Sequence, residues 1–153
     1  MFGYIWSYLY PIDEPKRSLS NSSSPSKFYY LSLIKENDET WSIHGLWPQT
    51  SLTKYPQYCK NVEFNLDLLE PIMEQLKDDW YSNRGPDEIF WKHEYLKHGT
   101  CNFNNFNELD YFKTALTLFD KAVKLNLPEE YYNSETNKCL IPVNKNLEFF
   151  KIN

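Results

Sequence analysis

Phe28-Tyr29-Tyr30-Leu31-Ser32-Leu33-Ile34, then Glu36-Asn37-Asp38-Glu39, then Trp41-Ser42-Ile43-His44-Gly45-Leu46 sets the architecture of this chain. The first run is aromatic and aliphatic throughout and reads as a strand buried on both faces. The polar run turns the chain. Trp41 to Leu46 reads as a second strand, which Gly45 and Pro48 bring to an end. Two short strands across a polar turn predict an antiparallel pair.

Downstream the period changes. Leu69, Ile72, Met73, Leu76 and Trp80 follow the three-and-four spacing of an amphipathic helix, with Pro71 tolerable in its first turn. Leu109, Phe112, Leu116, Phe119 and Val123 predict a second such helix near 107–124, and in both the apolar stripe reads as core. Residues 139–143 and 147–152 read as one or two strands joined by an Asn-Lys-Asn turn. Strands first, helices in the middle and strands last predict an α+β domain. Residues 18–26, Ser-Leu-Ser-Asn-Ser-Ser-Ser-Pro-Ser, form a low-complexity polar linker. Residues 1–27 are therefore expected to be a poorly ordered arm and 28–153 a single domain. Asn21-Ser22-Ser23 is a glycosylation sequon, meaningful only in a secreted chain.

The chain has 153 residues, 41% hydrophobic and 18% aromatic, which is enough to bury a dense aromatic core. Its net charge of −5 argues against nucleic-acid binding through a broad basic face, though not against a cleft with a few local cations. No apolar run approaches the roughly 18–20 residues that cross a bilayer. The apolar start, Met1 to Tyr10, lacks a basic region and a small-residue cleavage site, and is not read as a signal peptide. Cys59, Cys101 and Cys139 contain no Cys-x-x-Cys pair. They read equally as three buried thiols or as one disulfide with a thiol left over.

The chain holds three histidines, and two of them fall in His93-Glu94-Tyr95-Leu96-Lys97-His98-Gly99-Thr100-Cys101. If 87–98 is helical, with Asp87 near its start and Gly99 just past its end, each residue advances about 100°. Measured from His93, Lys97 then sits at about 40°, Glu94 at about 100° and His98 at about 140°, all on one broad arc. Phe90, Trp91 and Leu96 are left to anchor the helix. Zinc is disfavoured. The His-Glu-x-x-His motif needs histidines at i and i+4, and here Lys97 holds that place while His98 comes one later. A solvated helix with paired charges is the plainer alternative. His44, beside a glycine that permits close approach and near the base-stacking aromatic Trp47, favours a site.

Two imidazoles, a third beside them, a lysine and a glutamate suit cleavage of RNA by its own 2′-hydroxyl. That reaction needs a base for the 2′ proton, an acid for the departing 5′ oxygen and cations for the phosphorane. Histidine, with an ordinary pKa of about 6.5, serves both proton transfers. A serine or cysteine nucleophile is disfavoured, since no Gly-x-Ser-x-Gly elbow is present.

The segments Trp41 to Pro48 and Phe90 to Cys101, in this order and about fifty residues apart, resemble the two active-site segments of the ribonuclease T2 family. The likeness runs from about Tyr29 to Val123. It implies an α+β fold with a central antiparallel sheet and flanking helices. It also implies metal- and cofactor-independent cleavage of single-stranded RNA through a 2′,3′-cyclic phosphate to a 3′-phosphate. By position, His44 would be the general acid and His98 the general base. His93 would bind phosphate, Glu94 and Lys97 would support the transition state, and Trp47 would stack on a base. Cys59 and Cys101 match the family's disulfide. The resemblance implies a monomer acting on single-stranded RNA, with no DNA and no membrane as partner, in a secreted or endolysosomal/vacuolar setting. The alternative is an inactive relative that binds RNA or a protein, whose mark would be a lost catalytic histidine.

The departures bear on specificity and stability. Tyr95 stands where the family has tryptophan. Gln49, at the family's acidic base-recognition position, leaves base preference open. The part after the 107–124 helix is shortened, and Cys139 has the look of half of a second disulfide.

Overall fold

The computed structural model describes residues 25–153. The expected N-terminal arm lies almost wholly outside the described residues, and the Asn21 sequon lies outside them altogether. Strand β1 spans Phe28–Lys35 and β2 spans Trp41–Gln49. A 3-10 turn at Leu66–Ile72 runs straight into helix α1, Met73–Asp79. Helix α2 spans Asp87–Lys97, a 3-10 turn covers Gly99–Cys101, and α3 spans Glu108–Lys124. A short α4, Leu127–Tyr131, leads to β3, Tyr132–Asn133, and β4, Lys138–Val143. The sheet order is β2-β1-β4-β3 with antiparallel neighbours throughout, so the fold is α+β with helices on an antiparallel sheet, as anticipated.

The predicted strand pair forms, but β2 runs on through Pro48 to Gln49 instead of ending at Leu46. Pro48 is tolerated because β2 lies at the sheet edge, where a missing N–H costs no central ladder bond. The register explains the rest. Ser32 opposes Gly45 while Leu33 opposes Ile43, so His44 is the extra residue of a β-bulge. In a regular strand, residues three apart face opposite sides. Here Ile43 and Leu46 are both fully buried in the core, while His44 and Trp47 meet ring to ring on the other side.

Helix α3 follows its predicted pattern and buries Tyr111, Phe112, Ala115, Leu116, Leu118, Phe119 and Ala122. Asn107 caps it, its Oδ1 accepting from the Asp110 N–H at 2.8 Å. With α1 and Trp80 this helix packs on Tyr29, Leu31, Leu33, Ile43, Leu46, Ile141 and Val143, forming one continuous core. The Leu69–Trp80 helix begins as a 3-10 turn, which accommodates Pro71. After β4 the tail makes only a single bridge, Val143 to Phe149, rather than a second full strand. A reversal at Leu147, which has a positive φ, limits the pairing.

Candidate active site

Helix α2 is held against β2 by aromatic hydrogen bonds and by a glycine. Trp91 is buried and its Nε1–H donates to the Trp80 carbonyl at 2.5 Å. The Trp80 Nε1–H in turn donates to the carbonyl of His44 at 3.1 Å, tying the bulge to the end of α1. The Tyr111 hydroxyl donates to the Leu46 carbonyl at 2.8 Å from the core side. Gly45 lies directly beneath Glu94. A Cβ there would overlap the Glu94 carboxylate and the Trp47 indole nitrogen, so the glycine is needed for close approach.

Gly99 departs from its expected role. No glycine among the described residues has a positive φ, so it is not a left-handed helix cap. It is there for space, since a Cβ would meet Tyr95 Cδ1 at 2.6 Å and Tyr111 Cε2 at 2.9 Å. His98 ends α2 in a distorted helical conformation, φ −110° and ψ −44°. The next turn is locked by the Cys59–Cys101 disulfide, which the family resemblance implied. Cys59 N–H donates to Thr100 Oγ1 at 3.1 Å and Tyr58 N–H to the Lys97 carbonyl at 2.9 Å. Cys139 is a buried thiol, donating to the Pro128 carbonyl.

Of the expected arc, Glu94 turns inward and is 2% exposed, whereas His93 is exposed and Lys97 half-buried. Glu94 Oε2 lies 3.6 Å from His44 Nε2, and its Oε1 accepts the Trp47 Nε1–H at 2.9 Å. The Trp47 ring stands between two imidazoles. It is edge-on to His44, with centroids 5.0 Å apart, and stacked on His98 at 5.1 Å and 25°. Phe90 lies beside His44 and Tyr55 beside His98. The Lys97 ammonium sits over the Tyr55 ring. His98 is buried, and its Nδ1 has no hydrogen-bond partner. Gln49 is also buried, its amide donating to the Ser51 and Lys54 carbonyls and so holding the loop that carries Tyr55.

The electrostatics follow from burial. Desolvation pushes Glu94 up to about 7, against the pull of the Trp47 hydrogen bond and Lys97. Desolvation also pushes His98 down to about 3, helped by Lys97, His93 and His44. His44 is lowered by burial, His93 and Lys97. The three imidazoles and Lys97 therefore share one electrostatic neighbourhood. His44, Trp47, His93 and Glu94 open onto a cleft of about 1000 Å³, while His98 lies behind Trp47. Among the described residues, no three His, Cys, Asp or Glu side chains are grouped to hold a metal.

Residues 16–139 match the model of the ribonuclease T2 family, and the chain belongs to that family. Among its relatives, ribonuclease DdI of Dictyostelium discoideum is 41% identical over 83 residues, covering 53% of this chain and 37% of that protein. Ribonuclease MC1 from bitter gourd seeds superposes with a TM-score of 0.54 at 27% identity, covering 63% of this chain and 58% of that one. Ribonuclease NT, solved with 5′-AMP, shares the fold with a TM-score of 0.64 at 22% identity, covering 82% of this chain and 90% of that one. The chain spans about two fifths of the length of the curated relatives it matches.

Tyr55, Phe90 and Trp80 are the site neighbours that sequence reasoning does not assign to the site. By spacing alone Phe90 reads as a helix anchor and Trp80 as core. Nothing in the local pattern of the loop marks Tyr55.

Proposed function

We propose that this chain is an endoribonuclease that cleaves single-stranded RNA by transesterification through the 2′-hydroxyl. The reading is carried by one observation: His44, Glu94, Trp47 and His98 form a continuous cluster joining the β2 bulge to the end of α2.

In this mechanism the substrate turns the Trp47 ring off His98 and stacks a base on it. His98, neutral down to about pH 3 with a nitrogen unpartnered, takes the 2′ proton. The 2′ oxygen attacks phosphorus. The 5′ oxygen leaves with a proton from His44, giving a 2′,3′-cyclic phosphate and a 5′-hydroxyl. In the second step His44 takes a proton from water, the resulting nucleophile attacks phosphorus, and the 2′ oxygen departs with the proton held by His98. A 3′-phosphate remains.

Below about pH 7 the buried Glu94 carboxyl holds a proton 3.6 Å from His44 Nε2 and supplies it to the acid. The bound phosphate favours the imidazolium further. His93 at the cleft binds phosphate, and Lys97 balances charge in the phosphorane. Gln49 acts on base preference through the loop it ties. No step uses a metal, the enzyme acts as a monomer, and DNA, lacking the 2′-hydroxyl, is not cut.

The test is turnover of a fluorogenic single-stranded RNA in EDTA, with His44→Ala and His98→Ala alongside. Each variant should lose about 10²–10⁴-fold in rate while keeping its circular dichroism. The kcat/KM profile should be a bell with limbs near pH 3 and pH 7. Loss of activity in EDTA, or full activity in either variant, overturns the mechanism. Binding without turnover by the parent chain would instead mark it as an RNA-binding relative.

A further inference from the structure

The cleft does not end at the catalytic cluster. It runs along the sheet from His44, over Ile34 and Leu140, to the turn between β3 and β4, and is bounded on the other side by the loop before α2. Its volume of about 1000 Å³ lies at the top of the roughly 300–1,000 Å³ range of small-ligand pockets, more than one nucleotide fills. The charged or titratable side chains lining it are His44, His93 and Glu94 at one end, with Arg84 from the loop before α2 and Lys138 from the first position of β4.

Arg84 and Lys138 are the two Lys or Arg side chains in the lining of this cleft. Neither takes part in an ion pair among the described residues, although the chain carries a net charge of −5. Arg84 sits on a loop, Lys138 opens β4 where the β3–β4 turn ends, and hydrogen bonds set the shape of both turns in advance. Ser82 Oγ accepts from the Arg84 and Gly85 N–H groups, Ser82 N–H donates to Asp87, and Asn83 donates to Glu36 on the sheet side. On the opposite loop Asn133 Oδ1 accepts from the Glu135 and Thr136 N–H groups, and the Tyr132 hydroxyl donates to Asn137 Oδ1 at 2.6 Å. The two carboxylates bonded to the Arg84 loop are already engaged, Glu36 by Ser42 and Asn83 and Asp87 by the Ser82 N–H. Pre-shaped turns presenting unpaired cations to an apolar-floored cleft are what a polyanion backbone requires.

We propose that Arg84 and Lys138 form a distal phosphate subsite that takes a backbone phosphate of the RNA at least one nucleotide beyond the scissile bond. The inference rests on the ribonuclease reading and extends it: the enzyme distinguishes oligonucleotides from dinucleotides. Arg84 offers a planar fork to phosphate oxygens and Lys138 a point charge. The same subsite gives an acidic protein its local hold on RNA.

The test separates binding from cutting. Fluorescence anisotropy is measured with a 2′-O-methyl hexanucleotide and a 2′-O-methyl dinucleotide, neither of which can undergo 2′-hydroxyl chemistry. The parent chain is compared with Arg84→Ala, Lys138→Ala and the double variant. Hexanucleotide affinity should fall roughly tenfold in the double variant, and the salt slope should flatten by about 0.7 per cation removed. Dinucleotide binding should stay as in the parent. Equal losses for both ligands, or no loss for the hexanucleotide, overturns the subsite. Because the probes cannot be cleaved, a chain that fails the turnover assay still reports on the subsite. Both exposed substitutions spare the core, and unchanged thermal unfolding of the variants confirms that a loss is one of binding.

Discussion

Glu94 shows most sharply how one side chain is tuned by its place. Its carboxyl is nearly fully buried, with one hydrogen bond from Trp47 and the His44 ring 3.6 Å away. Its folded value of about 7 lies above the ordinary 4.5, so the protonated form favours folding. That contribution is whole below pH 4.5 and is lost as pH rises through 7. His98, held at about 3 against an ordinary 6.5, has the opposite sign. Its contribution is whole above 6.5 and is lost as pH falls through 3. Between 4.5 and 6.5 the two slopes oppose each other, and above 6.5 only the Glu94 loss remains. Urea unfolding of Glu94→Gln against the parent should therefore show the variant gaining about 3 kcal/mol in relative stability between about pH 4 and pH 8. A difference that does not change with pH would mean the buried carboxyl titrates as an exposed one does.

At the level of elements, the contact between β2 and α2 is where a small change should have the largest effect. Gly45 leaves room for Glu94 and Trp47 beneath the helix, whereas Gly85 has open space about it, with nothing within 4 Å of a built Cβ. Gly45→Ala should cost about 1–3 kcal/mol of stability by overpacking and displace Glu94 from His44. Turnover should fall along with thermal stability, and Gly85→Ala should leave both near the parent values. Equal behaviour of the two variants would show that the helix can retreat without loss. The two strands and the 107–124 helix are legible in the sequence because a short apolar run bounded by polar turns and three-and-four spacing both report local burial. The bulge is not. It is a mismatch between two strands, and the residues of β2 alone carry no sign of which one lacks a partner. Gly99 misleads for a related reason: a glycine after a helix usually supplies backbone freedom, and here it supplies room for Tyr95 and Tyr111.

Over the whole molecule, the His98 end of α2 is anchored from a distance. The Cys59–Cys101 bridge closes a loop of 42 residues that contains the whole of α1 and α2. Chain-entropy reasoning assigns such a loop about 4 kcal/mol. Replacing both cysteines by serine should lower the unfolding free energy by about that amount, read as a shift in the urea midpoint. It should also loosen His98, whose following turn the bridge holds. An unchanged midpoint would show the bridge adds nothing to the fold. Net charge behaves in the same non-local way, since a chain of net charge −5 still brings two cations, Arg84 and Lys138, to one cleft.

The sequence by itself determined the α+β class, the strand pair, the helical presentation of His93 to Lys97 and, through two motifs, the family. Each of these depends on neighbours in the chain, where spacing and residue type carry the physics. Only the tertiary structure decided that His44 sits on a bulge, that Trp47 covers His98 and that Glu94 turns inward while His93 faces solvent. It also decided that the loop before α2 and the start of β4 bring cations to one cleft. These are consequences of register and packing between distant segments, and burial, which moves the titrations of Glu94 and His98, exists only once those segments have met.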